Sequence, residues 1–173
     1  GEELSFSGQT FTGTTGVDNF TGASGDDTFS FTTTGTMNNT DALDGADGTD
    51  SLSITNAGSV TLTPNAENIE ILNVTPTSGT LTVDLKDTES TFDSIMLNSA
   101  GSLNATINNV AAMPGKVGIV NGDGDLIVNL KAAPVTGTAD DLTIELAGAG
   151  AAATVKITDD SATGVLESVT INS

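Results

Sequence analysis

A nine-residue pattern of glycine and aspartate recurs near the start of this sequence. Residues 13–21 and 22–30 follow one another directly, and both read G-x-x-G-x-D-x-F-x. A third copy, residues 45–53, comes after a 14-residue insertion and keeps both glycines and the aspartate, with leucine in place of phenylalanine. Phe11 stands nine residues before the first phenylalanine of the pattern and indicates a degenerate earlier copy. The spacing places one carboxylate in each of three equivalent turns.

Each position of this pattern has a physical task. Glycine lets the backbone turn tightly with unusual dihedral angles, which exposes carbonyl oxygens toward a central point. The aspartate adds a hard anionic oxygen, the ligand type that Ca²⁺ prefers. The turns therefore predict bound Ca²⁺, with several ions along the chain. The predicted ligand positions are Asp18, Asp27 and Asp50, together with the turn glycines Gly16, Gly25 and Gly48.

Other acidic residues extend this candidate site. They are Asp26, Asp41, Asp44 and Asp47 near the repeats, and Asp123 and Asp125 in a later Asn-Gly-Asp-Gly-Asp run. Aspartate also favours turns for its own hydrogen bonding to the backbone, so a turn without a metal is the alternative for the repeats. The later run could equally form a polar corner. We expect the repeat phenylalanines, Phe20 and Phe29, to stack in a core rather than to bind a partner.

The composition excludes several classes of function. The chain has 23 acidic residues against four Lys and Arg together, a formal net charge of −19. Without a basic patch, binding to nucleic acid or to an anionic membrane surface is excluded. Cys and His are absent, which removes thiolate chemistry and the usual general base. No stretch is apolar enough to span a bilayer, so we expect no membrane insertion. Divalent cations would lower the self-repulsion of such a chain.

Beyond residue 53, short alternating apolar segments replace the nonapeptide, which indicates β-strands joined by polar turns. One series has its inward residues at 69 and 71, 95 and 97, 117 and 119, 142 and 144, and 169 and 171. A second series interleaves at 81, 83 and 85, at 103, 105 and 107, at 126, 128 and 130, and at 155 and 157. Two strands per coil of roughly 25 residues are typical of a parallel β-helix or β-roll.

The predicted fold class is therefore all-β: a right-handed parallel β-roll that passes into a parallel β-helix. Residues 1–53 would form the calcium-binding β-roll repeats. Residues 54–173 would form the β-helix coils, continuous with the first part in one structural domain.

The nonapeptide resembles the calcium-binding repeat of RTX proteins, G-G-x-G-x-D-x-U-x with U large and apolar, although its second position is Thr or Ala here. Longer stretches are similar to type I-secreted S-layer and adhesin-like surface proteins of Gram-negative bacteria. These stretches are residues 15–29, 41–52 and 66–75, with a second copy of the last element at 166–172. The resemblance implies an extracellular surface lattice or adhesive stalk whose folding is triggered by Ca²⁺.

The expected function is structural: a calcium-stabilised building block of an extracellular surface layer, whose partner is the chain itself and, secondarily, cell-surface polysaccharide. The alternative is a binding segment of a secreted adhesin or biofilm-matrix protein. An enzyme is not expected. The pectin-cleaving lyases built on β-helices use an Arg base, and this chain has no Arg. Sugar sites usually need Trp or Tyr, and neither is present. We expect no catalytic residues and no cofactor other than Ca²⁺.

Overall fold

The computed structural model describes residues 7–131 and 141–159, and the backbone of residues 168–172. These residues form sixteen β-strands, numbered β1 to β16 in chain order, and one 3-10 helix at Leu85–Asp87. All strand pairings are parallel. The predicted all-β fold, a parallel β-roll passing into a parallel β-helix, is confirmed.

The strands fall into three sheets. Sheet A contains β1 (Thr10–Thr12), β3 (Thr28–Phe31), β5 (Ser51–Asn56), β8 (Ile71–Pro76), β10 (Ser94–Asn98), β12 (Lys116–Asn121), β14 (Asp141–Glu145) and β16 (Ser168–Asn172), in that order. Sheet B contains β2 (Asn19–Thr21), β4 (Ala42–Asp44) and β7 (Asn65–Glu67). Sheet C contains β6 (Val60–Leu62), β9 (Leu81–Asp84), β11 (Ala105–Val110), β13 (Asp125–Leu130) and β15 (Thr154–Asp159).

The nonapeptides set the size of the first coil. Phe11 in β1 pairs with Phe29 in β3, so two nine-residue repeats complete one turn of the solenoid. The intervening Phe20 lies in sheet B, and its ring centroid is 5.1 Å from that of Phe11. The rings of Phe11 and Phe29 also stack, with centroids 5.1 Å apart. The predicted stack of repeat phenylalanines in the core is confirmed.

The later coils bury aliphatic side chains in the same way. In sheet A, Ile95 pairs with Val117 and Leu97 with Ile119, and all four are fully buried. Alternation along each strand sends one side chain into the core and the next outward. The second predicted series forms sheet C, except that Leu85 lies in the 3-10 helix and Leu103 lies before β11.

One predicted register is wrong by a residue. We expected Ile71 to point inward, but it is half-exposed, whereas Leu72 and Val74 are fully buried. The backbone N–H groups of Glu70 and Ile71 both donate to the carbonyl of Asp50 in the coil before, at 3.1 and 2.9 Å. This contact turns the corner at Glu70 and starts β8 with Ile71 facing outward. Ile69 is buried, but in the corner that precedes the strand.

Candidate metal-binding site

Each of the three repeat aspartates lies at a corner of the solenoid, directly before a strand. Asp18 immediately precedes β2, Asp27 precedes β3 and Asp50 precedes β5. Although carboxylates are seldom buried, these side chains are 6%, 1% and 0% exposed. A buried charge requires hydrogen bonds or a counter-ion to be tolerated. The contacts of their oxygens therefore decide what these residues do.

One oxygen of Asp27, and likewise of Asp50, accepts a backbone N–H of the coil before, whereas Asp18 Oδ1 accepts the hydroxyl of Thr14 in its own turn at 2.9 Å. The N–H of Gln9 donates to Asp27 Oδ1 at 2.5 Å, and the N–H of Asp27 donates to Asp50 Oδ1 at 2.6 Å. The N–H of Asp50 donates in turn to Glu70 Oε2 at 2.7 Å. Each N–H comes from the residue that precedes the strand in the coil before. We call Asp27, Asp50 and Glu70 the carboxylate ladder. It satisfies backbone groups at a corner where the sheet hydrogen bonds have not yet begun.

The second oxygen normally closes the turn of its own repeat. Asp27 Oδ2 accepts the N–H of Ala23 at 2.7 Å, and Asp18 Oδ2 accepts that of Thr14 at 2.7 Å. In both turns the donor lies four residues before the aspartate. Asp18 and Asp27 therefore make the backbone hydrogen bonds that the alternative interpretation of the repeats describes. A carboxylate has about four lone-pair sites, so two such bonds leave room for a further contact.

Asp50 departs from this arrangement. The equivalent donor, the N–H of Ala46, is directed to Asp44 Oδ1 at 2.9 Å, and Ala46 adopts a φ of 64°. As a result Asp50 Oδ2 is buried without a hydrogen-bond partner. Burial raises the pKa of Asp50. The hydrogen bond from the N–H of Asp27 lowers it in part, and the negative charges of Glu70, Asp27 and Asp26 raise it further. An unpaired buried charge is costly, so this oxygen lacks the compensation that the other ladder oxygens receive.

A backbone carbonyl borders the same space as this oxygen. If Gly45 carried a Cβ, that atom would stand less than 3.0 Å from both Asp50 Oδ2 and the carbonyl oxygen of Asn68. The turn before repeats the arrangement, because a Cβ on Gly22 would stand less than 3.0 Å from Asp27 Oδ2 and the carbonyl oxygen of Gly45. We call these two places the glycine cradles. Each joins one carboxylate oxygen to one carbonyl oxygen across neighbouring coils.

The cradles fit a hard cation such as Ca²⁺, which accepts carboxylate and backbone carbonyl oxygens together. They do not form an all-carboxylate site: within the described residues, no three His, Cys, Asp or Glu side chains are grouped to hold a metal. The first repeat lacks a cradle. A Cβ on its Gly13 would instead meet the ring of Phe31. The three repeats are therefore equivalent in sequence but not in their surroundings.

The other predicted residues near the repeats lie around these corners at different depths. Asp26 is exposed and accepts the N–H of Thr49 at 2.9 Å, whereas Asp47 is exposed at the tip of its turn. Asp44 is half-buried and accepts the side-chain amide of Asn68 at 2.9 Å. Asp41 is fully buried and accepts the N–H of Asp18 at 2.9 Å. This bond joins two successive coils beside sheet B, as the ladder bonds do beside sheet A.

The predicted glycines differ in their environment. Gly25 is buried, whereas Gly16 and Gly48 are exposed. Gly48 has a φ of 148°, and a Cβ there would stand 2.7 Å from the carbonyl oxygen of Gly25. The backbone of one turn thus rests directly on the turn before.

Asp123 and Asp125 lie elsewhere: Asp123 is in the corner between β12 and β13, and Asp125 begins β13. Asp123 is exposed and packs against Gly150 of the next coil, where a Cβ would collide with its Oδ1. The N–H of Asp125 donates to Asn104 Oδ1 of the coil before at 2.8 Å, a coil-to-coil bond opposite in direction to those of the ladder and with an amide acceptor. These contacts are those of a polar corner, the alternative that the sequence left open for this run.

Sequence reasoning missed two contributors, Glu70 and the carbonyl of Asn68. Asn68 has a φ of 53°, which only the folded corner reveals. Glu70 lies outside any nonapeptide, but it precedes β8 as Asp50 precedes β5. An acidic residue directly before an alternating apolar segment was the available signal.

The fold and corners define a parallel β-solenoid with buried carboxylates between its coils. No protein-family model, curated protein or solved structure matches this chain. Within the described residues no helix has the length and apolar character to cross a membrane.

The unpaired oxygen of Asp50 predicts an unusual pH dependence in metal-free buffer. Because the folded-state pKa is raised, the native state binds a proton more tightly than the unfolded chain does. The stability of the parent should fall as pH rises from the unfolded pKa through the raised folded value, and stay low above it. Asp50→Asn removes the charge and offers an amide donor to the carbonyl of Asn68. At neutral pH we expect it to raise the free energy of unfolding by about 1 kcal/mol or more.

Denaturant titrations in chelator at several pH values measure this effect. The matched control is Asp93→Asn, since Asp93 precedes β10 at the next corner after Glu70 but is exposed. The gain from Asp50→Asn should shrink as the pH is lowered, whereas Asp93→Asn should track the parent. A gain that does not change with pH would contradict the assignment.

Proposed function

We propose that this chain is a calcium-stabilised structural module of an extracellular surface layer, with no enzymatic role. The observation that carries the proposal is the buried Asp50 Oδ2, which has no partner within the protein. A cation is the simplest group that would satisfy it. With 23 acidic residues and four basic ones, the chain itself cannot supply enough positive charge.

Calcium is the favoured cation because of the donor set. Asp50 with the carbonyl of Asn68 would hold one ion, and Asp27 with the carbonyl of Gly45 would hold another. The bound ion would supply charge neutralisation between coils. Each ion would bridge two successive coils, so binding would favour the stacked state over the unfolded chain. The resemblance of the repeats to RTX proteins supports the same assignment.

The structural role rests on the form of the molecule and on the resemblance to S-layer proteins. Parallel coils give a rod whose faces repeat regularly along its length, which suits a building block that makes the same contact many times. We place it on the surface of a Gram-negative bacterium, after type I secretion, where external Ca²⁺ can trigger folding. In that setting the ladder would make folding depend on the ion, because uncompensated carboxylates would keep the coils apart until the ion is present.

A calcium titration of Asp50→Asn tests the proposal. In excess Ca²⁺ the parent should melt at a higher temperature than in chelator, with about 2.7 kcal/mol gained per site at 100 times the dissociation constant. Asp50→Asn should lose most of the gain that its site contributes, because a charged oxygen ligand is lost. Its effect therefore changes sign, being stabilising in chelator and destabilising in calcium.

The control is again Asp93→Asn, which should bind calcium as the parent does. Hydrogen exchange locates the effect: chelation should release protection mainly in residues 7–53 and less in the later coils. An unchanged melting temperature and far-UV spectrum on chelation would contradict the calcium assignment. Equal calcium affinity in both variants would mean that the ions form only a diffuse atmosphere around an acidic chain.

A further inference from the structure

One outer face of the solenoid carries no charge. It consists of the outward-facing residues of the first four strands of sheet A, in which every second side chain points away from the core. These residues are Thr10, Thr12, Thr28, Ser30, Ser51, Ser53, Thr55, Ile71, Asn73 and Thr75. We call this surface the hydroxyl face, because eight of its ten side chains are Ser or Thr.

The strand register arranges these side chains in straight columns. Thr12, Ser30, Ser53 and Asn73 are successive partners in one column. In the neighbouring column, Ser51 Oγ lies 3.3 Å from Thr28 Oγ1, within hydrogen-bond distance. Parallel strands lie about 4.8 Å apart, so short side chains of similar size form a flat, regular surface.

The neutrality of this face contrasts with the rest of the molecule. On the outer side of sheet B, Asp44 and Glu67 are direct partners on neighbouring strands. Sheet C carries Asp84 on its outer side. On sheet A itself, charge first appears beyond β10, where Lys116 and Glu145 form an ion pair at 3.5 Å. In a chain of net charge −19, two copies that meet through any acidic face repel one another.

We propose that the hydroxyl face is where a second copy of this chain docks. This inference rests on the proposed structural function and names the contact through which the module would assemble. The partner is a like-charged copy, so it must approach where acidic side chains are absent. Two such faces can pack sheet against sheet, with threonine methyl groups and hydroxyls in contact. A face that meets its own copy makes an isologous contact.

The size of the face sets the strength of the contact. Four strands about 4.8 Å apart and five residues of about 3.3 Å each cover about 300 Å² per copy. Specific stable interfaces bury about 1,200 Å² or more over both partners. A single contact is therefore weak, and because an isologous contact joins copies in pairs, a larger array would need other contacts besides this one. In solution it should appear as self-association that depends on protein concentration.

Sedimentation of two variants with equal net charge tests this proposal. Ser53→Asp places a carboxylate in the middle of the hydroxyl face. Thr82→Asp places one on the outer side of sheet C, where Thr82 also stands on a strand between in-register neighbours. In Ca²⁺ we expect the parent and Thr82→Asp to self-associate alike and Ser53→Asp to associate at least about tenfold more weakly. Circular dichroism should show that all three are folded.

Several outcomes would overturn the docking proposal. Equal weakening in both variants would attribute the effect to net charge, and equal association in both would place the contact elsewhere. A parent that is monomeric at every concentration, yet binds immobilised lipopolysaccharide through Ser53, would assign the face to a glycan. The calcium assignment fails separately: it is lost if chelation leaves the melting temperature of the parent unchanged, whatever Ser53→Asp does.

Discussion

Leu72→Asp is expected to prevent stable folding, whereas the same substitution at the adjacent Ile71 is expected to be tolerated. Leu72 is fully buried between the sheets, and its neighbours in register, Leu52 and Ile95, are fully buried as well. A carboxylate there would have apolar surroundings and no partner. This costs several kcal/mol, which is comparable to the whole free energy of unfolding of many domains. Ile71 is half-exposed beside Ser51 and Ser94, so a carboxylate there can remain hydrated.

Thermal and denaturant unfolding in excess calcium measure this pair. We expect Leu72→Asp to lose about 4 kcal/mol or more, and Ile71→Asp to lose about 1 kcal/mol, part of it from repulsion by the adjacent Glu70. Ile71→Asn isolates that repulsion, since it is polar but uncharged. Similar losses at positions 71 and 72 would show that the alternation of β8 is not as described.

Gly45→Ala is the second change with a large expected effect. The new methyl group would enter a glycine cradle, less than 3.0 Å from the carbonyl oxygen of Asn68 and from Asp50 Oδ2. Since one of these atoms is backbone, the coils themselves must move apart. We expect a loss of about 3 kcal/mol in the free energy of unfolding, together with weaker calcium binding because the methyl group occupies the space between the ligands.

Gly16→Ala provides the matched control, because Gly16 is also a glycine of a nonapeptide turn. A Cβ there would meet only Thr14 Oγ1 at 3.5 Å, and its φ lies outside the left-handed region. The free energy of unfolding of this variant should stay within about 0.5 kcal/mol of the parent. Calorimetric calcium titration and thermal unfolding of both variants make the comparison. If Gly16→Ala were as damaging as Gly45→Ala, the loss would reflect backbone freedom rather than the cradle.

Much of the fold could be predicted from local pattern. The alternation of apolar residues identified the later strands of sheets A and C, though not β6, and the period of nine gave the first coil and its phenylalanine stack. These features depend on residues that are near one another in the chain, and strand geometry converts their spacing directly into direction. The error of register, at Ile71, arose at a corner. Which residues of a strand point inward depends on the residue at which the preceding corner ends. At β8 that residue is fixed by the hydrogen bonds from the N–H groups of Glu70 and Ile71 to the carbonyl of Asp50 in another coil.

The candidate site was predicted only in part. The sequence identified the aspartates that enter the core, but it treated the three repeats as equivalent. Asp18 and Asp27 close their own turns, whereas Asp50 cannot, because the N–H of Ala46 is directed to Asp44. Glu70, which completes the ladder, has no nonapeptide around it, and its place directly before an alternating apolar segment was the signal for it in the sequence.

The sequence by itself determined that this chain is an acidic stack of short strands with a carboxylate at each of three glycine turns. Only the tertiary structure decided which turn faces which. The carboxylates of the ladder bond to donors 18, 23 and 20 residues away, so no fixed period relates them. Insertions change the length of each coil, and the length decides which carbonyl lies beneath a given glycine. The unpaired oxygen of Asp50 is a product of that stacking, because its surroundings come from three successive coils.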